Sequence, residues 1–210
     1  MIGNKLKQLA LRHLTDYRSL YTFIIALFLM GIIFGAVVVN SLSYEARNDL
    51  LQYMQNFFNE LAGGRIADPT VLFKEAIGND FQYIALIWLL GLSVIGLPVL
   101  FVLIFVRGMF LGFTVGFLVS QMGTKGFGVA MVSVFPQNLL IIPIDIFLTV
   151  VAVACSLRII RQLLMKIRKE PLLPQFINYL LVLVVSSGAL VVACAFEAYI
   201  SPQLIRLFVS

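Results

Sequence analysis

The chain has 210 residues, 61% of them hydrophobic and 12% charged, with a net charge of +5. An ordinary globular domain carries about 25% charged residues, so this composition excludes a soluble protein and implies an integral membrane one. The positive charge gathers beside apolar runs and forms no nucleic-acid-binding motif, which points to membrane orientation and lipid contact, with no nucleic-acid partner. No linker, low-complexity tract or repeat divides the chain, so residues 1–210 read as a single membrane domain.

Basic residues set the expected path. Lys5, Lys7, Arg12 and Arg18 precede the first apolar run, Arg107 interrupts the middle, and Arg158, Arg161, Lys166, Arg168 and Lys169 follow the fourth. Keeping all of them in the cytoplasm predicts five spans, at 19–39, 83–106, 108–122, 136–157 and 176–200, with the N-terminus inside and the C-terminus outside. The expected fold class is all-α, a polytopic helical bundle with an amphipathic outer loop over 42–80.

The first run, 21–39, follows a basic leader that holds the sole histidine, His13. It is too long for a signal-peptide core and lacks an Ala-x-Ala site after it, so it reads as an uncleaved anchor. Gly31 and Gly35 stand four apart and give one face that a neighbouring helix can approach closely.

The only long polar excursion, 40–82, carries three basic and six acidic residues, which suits the outside. Within it Leu50, Leu51, Met54, Phe57, Phe58 and Leu61 recur at helical spacing against a face of amides and carboxylates. The spacing predicts a surface helix ended by Gly63 and Gly64, with Asp68 and Pro69 opening another short one. The apolar face around Leu50, Met54, Phe57 and Leu61 is a candidate surface for membrane lipid or for a partner protein outside the cytoplasm.

In the second span Gly91, Gly96 and Pro98 predict a kink. Arg107 is expected at the cytoplasmic headgroups, at a tight reversal into Gly108. Gly108, Gly112 and Gly116 then repeat every four residues, the strongest packing signal in the chain; they can meet another helix of the same chain or a second copy in a homo-oligomer. Residues 108–121 make only about 21 Å of helix against a hydrocarbon core of about 30 Å, so a full crossing and a re-entrant hairpin both stay open.

The stretch 127–157 is apolar yet contains Pro136, Gln137, Asn138, Pro143 and Asp145. It predicts a short outer piece to about Phe135, a break, and a crossing from about Gln137. Gln137, Asn138 and Asp145 form a candidate polar site. They can be structural, with the amides satisfying backbone groups freed by the prolines and a neutral or hydrated Asp145 bonded to Ser186 or Ser187. They can also be the ion or substrate site of a broken helix. The fifth span is rich in small residues, including Gly188, and Cys155 and Cys194 fall about 20 Å apart in depth, so they are expected as free thiols.

Catalysis has little to stand on. The histidine lies in the leader, no residues have metal-ligand spacing, and there is no P-loop, nucleophile elbow or facing acid pair. No enzyme activity, metal or cofactor is expected. A scaffold that gathers partners remains, beside a small proton- or ion-coupled transporter or permease subunit using Asp145 and the 136–143 segment.

Four blocks carry a resemblance: LFLMGIIFGAVVVNSL at 27–42, YIALIWLLGLSVIGLP at 83–98, RGMFLGFTVGFLVSQMGTKGF at 107–127 and SVFPQNLLIIP at 133–143. In this order they resemble the stage II sporulation protein M family. The resemblance implies an endospore-forming bacterium and a multi-pass protein of the sporulation septum and engulfing mother-cell membrane. It also implies a complex with the peptidoglycan hydrolases stage II sporulation proteins D and P, for which the M protein is the non-hydrolytic membrane anchor.

Overall fold

Apolar residues in runs with few internal breakers leave the backbone no partner but itself, and in lipid that means helix. The computed structural model describes residues 15–62, 69–165 and 172–209. They form α1 (Arg18–Asn40), α2 (Tyr44–Ala62), α3 (Pro69–Gly91), α4 (Gly96–Ser133), α5 (Phe135–Met165) and α6 (Leu172–Val209), with no strand among the described residues. His13, Gly63, Gly64, Asp68, Lys166, Arg168 and Lys169 lie outside them. The fold is an all-α polytopic membrane bundle. Three helices, Arg18–Asn40, Gly96–Met131 and Asn138–Gln162, are long and apolar enough to cross a membrane, and Tyr179–Ala195 is a shorter apolar helix.

Five helices share one core. Ile24 of α1, Ile84 and Ile87 of α3, Leu100 and Ile104 of α4, Leu148 of α5 and Leu190 of α6 are fully buried within it. The outward faces stay apolar, as at Ile33, Phe34, Val184 and Val192, which is the pattern of a surface solvated by lipid. Among the described residues the amphipathic α2 makes no extensive packing on the other helices.

The main departure from the expected path is the position of one turn. The chain does not reverse at Arg107–Gly108; that point lies inside α4, and the break comes at 92–95. Leu92 N–H bonds the Leu89 carbonyl at 3.2 Å and Ser93 N–H that of Leu90 at 3.0 Å, closing α3. Pro98, expected as a kink, instead sits in the first turn of α4, where its missing N–H leaves no bond unmade. Pro69 likewise opens a long helix, not a short one.

That turn is held from two sides. The buried Ser156 hydroxyl of α5 reaches the carbonyls of Gly91 at 2.9 Å and Ser93 at 3.2 Å. Tyr179 of α6 donates from its hydroxyl to the Trp88 carbonyl at 2.9 Å, and the two rings stack with centroids 5.5 Å apart. A side chain at Gly91 would strike the Tyr179 hydroxyl and Ala152.

With the turn moved, α4 runs about 40 Å from Gly96 to Met122, which removes the shortfall that left a re-entrant hairpin open. Gly123 then takes φ 59 and ψ −132, a backbone region that favours glycine. The piece after it folds back until Gly126 lies against the Leu118 carbonyl. It ends at Ser133, and α5 begins at Phe135 with Pro136 in its first turn and Pro143 inside it.

Candidate functional site

The position of the turn decides what faces what. Asp80 lies eleven residues before Gly91 and Arg107 eleven after Gly96, so both stand about 16 Å along their helices from the reversal. Antiparallel helices joined there bring the two to the same level. Arg107 Nη2 meets Asp80 Oδ1 at 2.8 Å, and Arg107 Nε lies 3.2 Å from Asp145 Oδ2 of α5. The Arg107 guanidinium also sits 5.0 Å above the Tyr83 ring, a cation–π contact, while Tyr83 donates from its hydroxyl to the Leu103 carbonyl at 3.2 Å.

One guanidinium therefore ties three helices together among buried groups. The side chains of Asp80 and Asp145 are 10% and 2% exposed, and that of Arg107 27%. The Nε contact is close enough for an ion pair but poorly aligned, so neither Asp145 oxygen gains a hydrogen bond among the described residues. Among the described residues Asp145 has no hydrogen bond to Ser186 or Ser187, the partners of the structural reading of this site; Arg107 takes that place. A buried charge is tolerated where it is paired.

Beside this cluster opens a cleft of about 370 Å³ whose polar lining is Asn79, Asp80, Arg107, Thr114 and Asn138, with Phe110 on its rim. Asn138 donates from its side-chain amide to the Val134 carbonyl at 2.8 Å, at the break between α4 and α5. The side chain of Gln137 lies outside the described set. Among the described residues no group of three or more His, Cys, Asp and Glu could hold a metal ion, and both cysteines are free thiols.

The glycines form a second site, on the other side of α4. A Cβ at Gly31 would strike the Phe105 carbonyl oxygen, at Gly35 that of Met109, at Gly108 that of Phe28 and at Gly112 that of Ile32. At Gly116 it would stand 3.1 Å from Ala36 Cα. The stripes of α1 and α4 thus face each other within one chain, backbone to backbone. Leu50 and Met54 of α2 are half-buried, and the side chains of Phe57 and Leu61 lie outside the described set.

A family model described as Stage II sporulation protein M matches residues 24–202, from α1 through most of α6. The chain belongs to that family. No curated protein and no solved structure matches it. It is accordingly a sporulation-related membrane protein. The matched region contains both the glycine interface and the Asp80–Arg107–Asp145 cluster.

Within the family sequence, Asp80 and Arg107 are the site residues that pattern reading missed. A second span beginning at 83 keeps Asp80 in the outer polar excursion and leaves Asp145 without an acidic neighbour at its depth. The signal was present in Gly91, Gly96 and Pro98, which together mark a helix end and a helix start.

Proposed function

We propose that this protein is the membrane anchor of the engulfment machinery, gathering the wall hydrolases stage II sporulation proteins D and P at the septal and engulfing membrane. What supports the reading is the family match along 24–202. A scaffold of this kind raises the effective concentration of two enzymes on one substrate without chemistry of its own. The amphipathic α2 offers the face of Leu50 and Met54 to a partner domain, and Phe57 and Leu61 fall on the same helical face by spacing.

Affinity capture of the tagged chain from sporulating cells in mild detergent, followed by mass spectrometry, tests this. The D and P hydrolases should be recovered in stable proportion. Their absence, with the bait intact and both present in the lysate, would overturn the reading.

One observation favours a second reading, proton- or ion-coupled transport: Asp80 and Arg107 border a polar cleft, and a second deep carboxylate, Asp145, sits on the same arginine. Asp145→Asn separates the two. A scaffold keeps its complex and engulfs normally, whereas a coupled transporter keeps its complex and stops engulfing.

A further inference from the structure

The polar cleft extends to one side of the charge cluster only. Thr114 stands about 10 Å beyond Arg107 along α4, Asn138 about 10 Å before Asp145 along α5, and Ala76 about 6 Å before Asp80 along α3. All these steps lead toward the end of the bundle that holds the Gly123 bend, the outer end by the positive-inside path. Val134, also in the lining, is about 16 Å from the level of Asp145, against about 15 Å for half of a hydrocarbon core. The hollow therefore reaches from the cluster to the outer head groups. On the cytoplasmic side it stops. Ile84, Ile104 and Leu148 each lie one turn further inward from Asp80, Arg107 and Asp145, and all three are 0% exposed.

Acyl chains are poor occupants of such a hollow. Asn79 and Thr114 are exposed in its lining, and the Arg107 side chain keeps 27% exposure beside them. Arg107 spends Nη2 and Nε on the two carboxylates, which leaves the donors of Nη1 facing the cleft without an acceptor among the described residues. Against hydrocarbon these polar groups would be desolvated with nothing in return. Exposed side chains elsewhere along the helices are apolar, as at Ile33 and Val184, and Phe110 on the rim keeps that pattern. Charged and polar groups at membrane depth are tolerated where they line water. At about 30 Å³ per molecule the cleft has room for roughly ten waters. We propose that it is a one-sided aqueous vestibule, which admits water and small hydrophilic solutes from the outer side as far as the Arg107–Asp80 pair. The layer of Ile84, Ile104 and Leu148 stops them there. The proposal holds for an anchor and for a transporter alike.

The test places single cysteines in the full chain after Cys155→Ser and Cys194→Ala, in sealed membrane vesicles of each orientation. The probe is a charged, membrane-impermeant methanethiosulfonate. Asn79→Cys and Thr114→Cys line the vestibule. Gly188→Cys is the lipid-facing control, exposed on α6 with nothing within 4 Å of a Cβ built there. Val153→Cys lies inward of the aliphatic layer at a position 0% exposed. From the outer side the two vestibule thiols should react roughly tenfold or more faster than Gly188→Cys, because the reactive thiolate is disfavoured in apolar surroundings. Val153→Cys should react only after denaturation. If Asn79→Cys does not fold, Thr114→Cys decides alone. Vestibule thiols no faster than the Gly188→Cys control, reaction of those thiols from the cytoplasmic side, or reaction at Val153→Cys in the folded protein would each overturn the proposal.

Discussion

Helix α4 meets its neighbours in two opposite ways. Toward α1 it offers almost no side chain, so Gly108 and Gly112 press on the Phe28 and Ile32 backbones and the contact rests on dispersion. Toward α3 and α5 it offers Arg107, the longest charged side chain available, and the contact rests on ion pairs in a medium that penalises any charge left over. The first interface is intolerant of added atoms and the second of unbalanced charge. Adjacent residues, Arg107 and Gly108, serve one each.

The comparison breaks most visibly at the charged side. Arg107→Leu strands two buried carboxylates and should cost about 3–5 kcal/mol, seen as a large drop in thermal unfolding temperature in detergent. Adding Asp80→Asn and Asp145→Asn to that variant should restore most of the loss, because a neutral cluster no longer holds an unpaired charge. Failure of that rescue would mean that the ion pairs do more than balance charge.

On the glycine side Gly112→Ile should cost about 1–3 kcal/mol or more, read in the same melts. No such rescue exists there. The added atoms collide with the Ile32 carbonyl and Cα, so trimming the Ile32 side chain should recover little. Recovery by Ile32→Ala would show that the helices can separate and that close approach is not required.

Smaller effects sharpen the picture. Ser156→Ala removes the donor shared by the Gly91 and Ser93 carbonyls and should cost about 1–2 kcal/mol, with faster amide exchange confined to the residues around 89–97. Gly188→Ala should change stability by no more than about 0.5 kcal/mol, because nothing lies within 4 Å of a Cβ built there. Gly188 is the control that separates a glycine used for packing from one that merely sits in a membrane helix.

Periodicity and composition made the fold class, the amphipathic α2 and the glycine spacing legible, since each is local. What they could not supply was the level at which helices pair. Arg107 between two apolar runs has the look of a loop charge under the positive-inside rule, while the true turn, Leu92–Ile95, is apolar and announces itself only by flanking glycines and a proline. A turn at Arg107 would put Asp80 outside the bundle and Asp145 beyond the reach of the guanidinium, whereas the turn at 92–95 brings all three together. Asn138 illustrates the same limit: its capping of the Val134 carbonyl depends on where α4 stops after the Gly123 bend, which no local pattern announces.

The pairing of Asp80 with Arg107 also bears on how the chain enters the membrane. The two residues are 27 apart in sequence, and α3 is not among the helices apolar enough to cross alone, whereas α4 is. An aspartate at the centre of a lone helix raises the free energy of insertion by about 2.5–3.5 kcal/mol. At roughly 5–20 residues per second, the ribosome delivers the countercharge about 1–5 s after the acid. During that interval α3 is better held at the translocon than released, and it enters lipid with α4 as a hairpin, so the ion pair orders the steps of biogenesis before it ever stabilises the finished bundle.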